Sequence, residues 1–348
     1  MRHLVTVGLL CVSAAFAQHK TENVIFVMVD GLRWQEIFSG ADSSLIEPKE
    51  AASLKAYVTR EGLMPFLWST VAKRGQVFGN QSLGSEAYVT NGFNFSYPGY
   101  SETLCGFPDP RVDSNDKKLN PNVTVLEWLN QKPAFKGKVA AFGAWDVFPF
   151  IFNVGRAGFP VNAGYDPFET TPMTPRLQLL NQLKAETPHV WADEAFDAIP
   201  FQTALEFLKT KKPRVLYLSL GEPDDWAHAG NYAEYLRSIH RSDEFLEILW
   251  ETVQAMPGYR DHTTLIFSPD HGRGGAPVEW KSHGQKIPAS KYIWMAFLGP
   301  DTAASGERSH IPAVTQNQIA ATLAALLGED YNASVPQAGK PISDVLPH

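Results

Sequence analysis

Three aspartates stand at the ends of short apolar runs, and two histidines follow them closely. The runs are 23–29, 215–220 and 265–269, and the polar residues after them are Asp30, Asp224 with His228, and Asp270 with His271. Carboxylates and imidazoles are ligands that proteins offer to zinc, and also to manganese or iron. If the runs form neighbouring parallel strands, their carboxyl ends meet at one edge of a sheet, where α/β proteins form their sites. The pattern therefore predicts a metal site at that edge.

The pair Asp224 and His228 has the spacing of one helical turn. The two residues lie four apart, so a helix after the second run would place both on one face. Asp225, three residues before His228, is a competing ligand. An aspartate after a strand often serves only as a helix N-cap, so each residue alone also fits a structural role. The three strand ends taken together favour a metal site.

The pair Asp270 and His271 consists of neighbours in the chain, so a sharp turn must direct both side chains inward. Gly272 permits such a turn because glycine has no Cβ. The same dipeptide occurs at Asp261–His262, but there it precedes its strand. We therefore expect that dipeptide to lie in a surface turn at the opposite edge of the sheet.

The predicted elements alternate between strands and helices along the chain. Strands are predicted at 23–29, 76–83, 138–142, 214–220, 263–268 and 291–298. Helices are predicted at 64–74, 123–131 with Asn122 as N-cap, 172–186, 193–210, 231–255 and 311–327. This order predicts an α/β fold with a doubly wound, largely parallel central sheet and helices on both faces. The irregular segments 84–118, 143–170 and 272–290 are expected to be loops that form the walls of the site.

The composition describes a globular chain and limits its partners. Of the 348 residues, 44% are hydrophobic and 19% are charged, which suits a protein with a full core. The formal net charge of −7 gives no electrostatic reason to expect nucleic acid or an anionic membrane as a partner. After the first residues, no segment of the sequence is long and apolar enough to predict a membrane span.

The first 17 residues have the features of a secretory signal peptide. A basic start precedes the apolar run 4–16, and an A-x-A sequence ends at Ala17. We therefore expect residues 1–17 to be removed and the protein to be exported, to the periplasm or the medium. The mature chain, 18–348, is predicted to form one catalytic domain. It would keep only Cys105, so no intrachain disulfide is expected.

Ser96 is the candidate nucleophile, in the string Ser96-Tyr97-Pro98-Gly99. A serine hydroxyl is mostly protonated at neutral pH, and a nearby metal ion promotes its ionisation. A short helix predicted at 101–105 could offer its first N–H groups to a phosphate. The string alone is also compatible with an ordinary loop serine, or with a glycosylation sequon at Asn94.

Taken together, these positions resemble the alkaline phosphatase superfamily, and most closely its nucleotide pyrophosphatase/phosphodiesterase-like branch. The matching segments occur in order over nearly the whole mature chain, and they are 29–33, 96–101, 222–224 with His228, 268–272, 282–284 and 314–328. Each segment is short and weak alone, but the set is specific.

The resemblance implies a site with two divalent metal ions, zinc in the first place and manganese or iron as alternatives. One ion would be held by Asp224, His228 and His283, and the other by Asp30, Ser96, Asp270 and His271. The resemblance prefers Asp224 to Asp225, and it adds His283, which the residue pattern does not single out. It also implies that Ser96 attacks phosphorus in line and forms a phosphoseryl intermediate. The substrate would be a small phosphate ester, either a monoester or a diester.

The chain departs from that branch at two positions. Many relatives have threonine where Ser96 stands, and asparagine where Gly99 stands. Asn115 is a candidate replacement for the asparagine that holds a phosphoryl oxygen, although a turn residue fits equally. Arg33 is a second candidate for holding an anion, with a surface salt bridge as the competing interpretation.

Two other enzyme classes share these features. Sulfatases build their nucleophile from a (C/S)-x-P-x-R string, which residues 96–99 follow until Tyr100 replaces the arginine. His228 and His283 favour the two-metal phosphatase pattern over the single calcium of sulfatases. A phosphoglycerate-mutase-like isomerase would need a large domain inserted after its nucleophile, and the spacing from Ser96 to Asp224 argues against it.

A third alternative is a non-catalytic binding protein on the same fold. Such a protein would be recognised by the loss of a ligand or of the nucleophile, and all seven positions are filled here. The sequence therefore predicts an exported, metal-dependent phosphoric-ester hydrolase, with a sulfuric-ester hydrolase or a binding protein as the alternatives.

Overall fold

The computed structural model describes residues 19–347, so the signal peptide predicted at 1–17 lies outside the described residues. The strands are β1 (Asn23–Val29), β2 (Gln76–Phe78), β3 (Ala87–Tyr88), β4 (Val139–Gly143), β5 (Val161–Ala163), β6 (Val215–Leu220), β7 (Thr263–Pro269), β8 (Met295–Leu298), β9 (Gly306–Glu307) and β10 (Val314–Thr315). The helices are α1 (Trp34–Ser39), α2 (Arg60–Leu63), α3 (Ala72–Arg74), α4 (Ser96–Cys105), α5 (Val125–Asn130), α6 (Phe148–Ile151), α7 (Val154–Ala157), α8 (Pro175–Glu186), α9 (Ala198–Lys211), α10 (Glu222–His228), α11 (Tyr232–Ala255) and α12 (Ile319–Leu326).

Eight strands form the central sheet, in the order β5-β4-β6-β1-β7-β8-β2-β9. Strand β8 pairs antiparallel with both of its neighbours, and the other pairings in this sheet are parallel. The strands β6, β1 and β7, which precede the three aspartates, are adjacent. The predicted largely parallel sheet is therefore confirmed, and its centre carries the residues of the predicted site.

Helices cover both faces of this sheet, which confirms the doubly wound architecture. Alternate residues of β1 belong to two different cores: Val27 packs on one side and Phe26 on the other. The long helix α11 buries its apolar stripe in the first core, while α4, α5 and α12 contribute to the second. A sheet buried on both sides explains why its central strands are continuous apolar runs.

Several predicted boundaries are wrong for local reasons. The strand expected at 76–83 ends at Phe78, and the strand expected at 291–298 begins only at Met295. The helix expected at 311–327 is preceded by β10 and begins at Ile319. The helix expected from 123 begins at Val125, because Thr124 rather than Asn122 is its N-cap.

The segments expected to be loops also contain regular structure. The first holds β3 and the whole of α4, and the second holds β5, which forms the edge of the central sheet. Within residues 19–347, every helix is too short or too polar to cross a bilayer.

Replacing Thr124 with alanine should lower the free energy of unfolding by about 1 kcal/mol, a typical value for loss of an N-cap. The buried hydroxyl of Thr124 accepts a hydrogen bond from Glu127 N at 3.2 Å, and alanine would leave that N–H without its partner. Urea denaturation would measure the change, with Thr124→Ser as the variant that keeps the hydroxyl. An unchanged unfolding midpoint in Thr124→Ala would contradict this assignment of the cap.

Candidate metal centre

The carboxyl ends of three adjacent strands bring the predicted ligands together. Asp30 directly follows β1, Asp270 directly follows β7, and Asp224 lies in the first turn of α10 after β6. Pro223 occupies an early position of α10, where a missing N–H costs no helical hydrogen bond. The dipeptide Asp261–His262 is exposed and lies before β7, at the opposite edge as predicted.

Asp30, Asp270 and His271 form one group of potential metal ligands. Their donor atoms lie within 4.8 Å of one another, and all three residues are buried. His271 Nε2 is 3.2 Å from Asp30 Oδ1 and 3.5 Å from Asp270 Oδ2. We name this group the buried cluster.

Backbone groups fix the orientation of Asp270. Its Oδ1 accepts hydrogen bonds from Gly31 N at 3.0 Å and from His271 N at 2.9 Å. Its Oδ2 is buried and has no hydrogen-bond partner among the described residues. A buried carboxylate oxygen without a partner costs free energy, so the Oδ2 of Asp270 is well suited to bind a cation.

A chain of hydroxyl groups fixes Asp30. Ser219 Oγ donates a hydrogen bond to Tyr100 Oη at 3.0 Å, and Tyr100 Oη donates one to Asp30 Oδ2 at 3.1 Å. The other oxygen, Oδ1, faces His271 and Ser96. Tyr100 was not expected at the site, because its partners Asp30 and Ser219 lie far from it in the chain.

Ser96 lies beside the buried cluster, as the first residue of α4. Its hydroxyl is 3.4 Å from Asp30 Oδ1 and 3.3 Å from His271 Nε2. The helix predicted at 101–105 therefore begins five residues earlier, at the candidate nucleophile itself. Gly99 permits this arrangement, because a Cβ there would lie only 2.4 Å from the carbonyl oxygen of Asp270. Close packing of α4 on that turn thus explains why a side chain is missing at this position.

A second group combines Asp224 and His283 with the shared His271. His228 joins it, since its Nε2 lies 3.0 Å from Asp224 Oδ2 and 2.9 Å from His283 Nε2. The side chain of His228 is 47% exposed, whereas that of His271 is fully buried. We name Asp224, His228 and His283 the open cluster.

Hydrogen bonds at Nδ1 set the direction of two imidazoles. His271 Nδ1 lies 2.9 Å from the carbonyl oxygen of Gly272, and His283 Nδ1 lies 3.3 Å from that of Asn94. A proton on each Nδ1 satisfies these carbonyls and leaves Nε2 directed at the clusters. Metal-binding histidines are commonly held in this way.

Arg273 is a buried cation at the open cluster that the sequence analysis missed. Its guanidinium group pairs with Asp224 Oδ1 and donates hydrogen bonds to the carbonyl oxygens of Trp280 and Lys281. Because Oδ1 of Asp224 pairs with Arg273, only its Oδ2 remains available as a ligand. This oxygen lies on the side of His228. Gly31 is also required here, since a Cβ at that position would lie 2.4 Å from Asp224 Oδ1.

The carboxyl groups of the two clusters have pKa values shifted in opposite directions. Burial, and then the charge of Asp30, raise the pKa of Asp270 well above its usual range. Burial alone would lower the pKa of His271, but the carboxylates of Asp270 and Asp30 raise it to about 9. For Asp224, the charge of Arg273 and the nearby imidazoles outweighs burial and holds its pKa well below the usual range. The buried cluster thus attracts positive charge.

These observations fit a divalent metal ion. The clusters offer carboxylate oxygens and imidazole nitrogens, which are the donors that zinc and related metals take. The orphaned oxygen of Asp270 and the Nε2 atoms of His271 and His283 lie on the side of the clusters. The excess of buried negative charge would be relieved by a bound cation.

The two expected substrate-binding residues lie in different environments. Asn115 is exposed, and its Oδ1 accepts a hydrogen bond from Tyr97 N at 3.0 Å, one residue after the candidate nucleophile. Arg33 is only 1% exposed, and it forms an ion pair with buried Glu36 and a hydrogen bond to Gly274 O. Three of the five N–H groups of Arg33 thus have buried partners, and its contact with a substrate stays a prediction.

Comparison with known proteins relates this arrangement to one family. A family model described as Sulfatase matches residues 22–329. The structure resembles wild-type alkaline phosphatase PafA with a TM-score of 0.62 and 12% identity, over 95% of this chain and 100% of that one. It also resembles a phosphonate monoester hydrolase of Agrobacterium radiobacter with a TM-score of 0.56 and 14% identity, over 92% of this chain and 78% of that one. At these identities, the likeness shows the fold alone.

One curated relative matches over a shorter region. The 2,3-bisphosphoglycerate-independent phosphoglycerate mutase of Haloarcula marismortui is 27% identical over 128 residues, which are 37% of this chain and 23% of that enzyme. The match therefore spans less than a quarter of the mutase.

Replacing His271 with alanine should weaken metal binding at both clusters, because His271 is a member of the buried cluster and also lies in one group of potential ligands with Asp224 and His283 of the open cluster. Mass spectrometry of purified protein should find the bound divalent metal per chain reduced by roughly half or more, and an added divalent metal should raise the unfolding temperature less than in the wild type. The matched control is His262→Ala, which removes the histidine of the identical dipeptide at the opposite edge. Equal metal contents in the two variants would contradict the assignment.

Proposed function

The chain belongs to the sulfatase family within the alkaline phosphatase superfamily, and we propose that it is a metal-dependent phosphoric-ester hydrolase acting through a phosphoseryl intermediate. One observation carries the proposal. The hydroxyl of Ser96 lies within 3.4 Å of Asp30 and His271, two members of the buried cluster, and His271 is shared with the second group of ligands. A nucleophile and two groups of ligands at one sheet edge are the parts that in-line displacement at phosphorus requires.

Two divalent ions, zinc in the first place, are proposed for this centre. The buried cluster with Ser96 would hold one ion, and the open cluster would hold the other. When bound, the ions would supply positive charge that lowers the pKa of the serine hydroxyl and stabilises the phosphoryl oxygens. Two ions also fit the nucleotide pyrophosphatase/phosphodiesterase-like branch, which we propose for the chain from the order of its motifs.

Several residues of the chain would position the nucleophile and the phosphoryl group. Ser96 attacks phosphorus, and its place at the start of α4 is held by the contact of Gly99 with the turn at Asp270. Asn115 keeps its Oδ1 on Tyr97 N, and its Nδ2 has no hydrogen-bond partner among residues 19–347. That Nδ2 group is therefore suited to donate to a phosphoryl oxygen next to Ser96.

A sulfuric-ester hydrolase is the second candidate, because the matching family model is that of sulfatases. Against it stands Tyr100, which occupies the position of the arginine in the sulfatase string. Its hydroxyl is committed to Asp30, so this position supplies no cation to a substrate anion. The histidines of the open cluster also favour a centre with two ions that bind nitrogen ligands.

Ser96→Ala should abolish turnover on the best ester substrate, with a loss in kcat of at least about 10³-fold, since removal of a nucleophile costs that much or more. The wild type should hydrolyse an aryl phosphate or a bis-aryl phosphate faster than the matching aryl sulfate. The control Ser69→Ala changes an exposed serine in the helical segment before α3 and should keep full activity.

Each outcome of this experiment decides between the candidates. Aryl sulfate as the best substrate would replace the phosphatase proposal with the sulfatase alternative. Full activity in Ser96→Ala would exclude the covalent mechanism. No hydrolysis of any ester by metal-loaded wild-type protein would favour the binding-protein alternative.

We also propose that the protein is exported after removal of residues 1–17. The support is the basic start, the apolar run and the A-x-A sequence. N-terminal sequencing of protein recovered outside the cytoplasm should begin at Gln18. Exported protein that still begins at Met1 would contradict cleavage.

A further inference from the structure

The short helix α10 supplies two of the three residues of the open cluster. It runs over Glu222–His228, with Asp224 in its first turn and His228 at its end. A helix of about two turns has little stability of its own, because nucleation costs more than so few hydrogen bonds return. The position of α10, and with it the geometry of the open cluster, therefore depends on the contacts that hold this helix in the protein.

The residue at the start of α10 cannot cap the helix itself. Gly221 occupies the N-cap position and has no side chain that could accept a hydrogen bond. A larger residue would have to displace Glu194, since a Cβ on Gly221 would lie 1.2 Å from Glu194 Oε1. The first N–H groups of a helix need acceptors, so side-chain acceptors for α10 must come from another part of the chain.

Asp197 supplies two such acceptors. Its Oδ1 accepts a hydrogen bond from Gly221 N at 2.6 Å, and its Oδ2 accepts one from Glu222 N at 3.2 Å. Asp197 itself stands at the N-cap position of α9, but its side chain makes no capping hydrogen bond to that helix. The buried carboxylate is thus committed to α10, where its negative charge also interacts favourably with the helix dipole.

Glu222 and Arg241 extend this contact into a network. Glu222 Oε1 accepts a hydrogen bond from Asp197 N at 3.0 Å, so each of the two acids binds the backbone of the other. Glu222 Oε2 accepts one from Arg241 Nη2 at 2.6 Å, and Arg241 lies on the long helix α11. The network therefore joins the starts of α9 and α10 to α11. We name Asp197, Glu222 and Arg241 the α10 anchor.

Gly221 links the α10 anchor directly to a ligand of the open cluster. Its N–H donates to Asp197, and its carbonyl oxygen accepts a hydrogen bond from Asp224 N at 3.0 Å. A displacement of Gly221 would therefore move Asp224, whose Oδ2 lies 3.0 Å from His228 Nε2. Arg273 holds the side chain of Asp224, whereas the α10 anchor holds its backbone.

We propose that Asp197 is a positioning residue for the open cluster: with the rest of the α10 anchor, it fixes the first turn of α10 and so sets the affinity of this cluster for its ion. The inference rests on the proposed two-ion centre, and not on which ester is hydrolysed. The buried cluster takes its residues from the ends of β1 and β7, so loss of the anchor should affect one ion and leave the other unchanged. Partners that orient metal ligands typically change metal affinity by about 10- to 100-fold.

Asp243 provides a matched control. Its carboxylate is fully buried and also accepts hydrogen bonds from two consecutive backbone N–H groups, those of Phe66 at 2.7 Å and Leu67 at 2.8 Å. These two residues begin a helical segment, 67–71, that carries no residue of either cluster. Asp197→Asn and Asp243→Asn therefore remove the same kind of interaction, and both should lower the unfolding temperature. Only Asp197→Asn should change metal binding.

Release of zinc from the zinc-loaded protein tests the inference. A chelator buffers free zinc at decreasing concentrations, and the zinc retained per chain is measured after equilibration. The wild type should release two ions in two steps, and the step that His228→Ala weakens identifies the open cluster. In Asp197→Asn, this step should occur at about tenfold higher free zinc or more, while the other step stays unchanged. In Asp243→Asn, both steps should stay unchanged.

Two arginines of α11 provide a second pair of variants, which tests the inference even if Asp197→Asn does not fold. Both are partly exposed and pair with a glutamate: Arg241 with Glu222 at 2.6 Å, and Arg237 with Glu50 at 2.8 Å. Arg241→Met should shift the open-cluster step by about threefold, as expected for loss of one partly exposed ion pair. Arg237→Met should leave both steps unchanged.

The outcomes separate this inference from the proposed function. An open-cluster step that is unchanged in both Asp197→Asn and Arg241→Met, or shifted equally in Asp243→Asn, would overturn the positioning role. If Asp197→Asn does not fold, an unchanged step in Arg241→Met alone would overturn it. Release of a single ion per chain from the wild type would contradict the two-ion centre and the inference together. Two ions with the expected shifts, but no hydrolysis of any ester, would contradict the hydrolase proposal alone.

Discussion

The structure depends on one constraint: several acidic side chains lie close together at the end of a buried sheet. Asp30 and Asp270 are buried at the ends of adjacent strands, with Asp224 in the next helical turn. Carboxylates in such surroundings repel one another strongly, because water cannot screen them. The described part of the chain supplies Arg273 and the imidazoles as compensation. The remaining negative charge makes this edge a place for cations.

The two clusters differ in a way that bears on catalysis. In the buried cluster, each carboxylate has one oxygen fixed by donors, from the backbone or from Tyr100, and presents the other inward. In the open cluster, His228 reaches solvent and Arg273 neutralises part of the charge of Asp224. The proposed nucleophile, Ser96, lies at the buried cluster, where its geometry is set by rigid elements. The open cluster has the access to solvent that a leaving group and an incoming water require.

Sequence alone predicted the central strands and six of the seven positions around the site. Continuous apolar runs and the polar residues at their ends are local signals, which explains this success. The seventh position, His283, was predicted only from the resemblance. The outer strands β2, β5 and β9 have two or three residues and give no periodic pattern. The start of α4 was missed because Pro98 and Gly99 are typical of a turn, whereas close packing against Asp270 requires the glycine inside a helix. Arg273 and Tyr100 were missed because their partners lie far away in the chain.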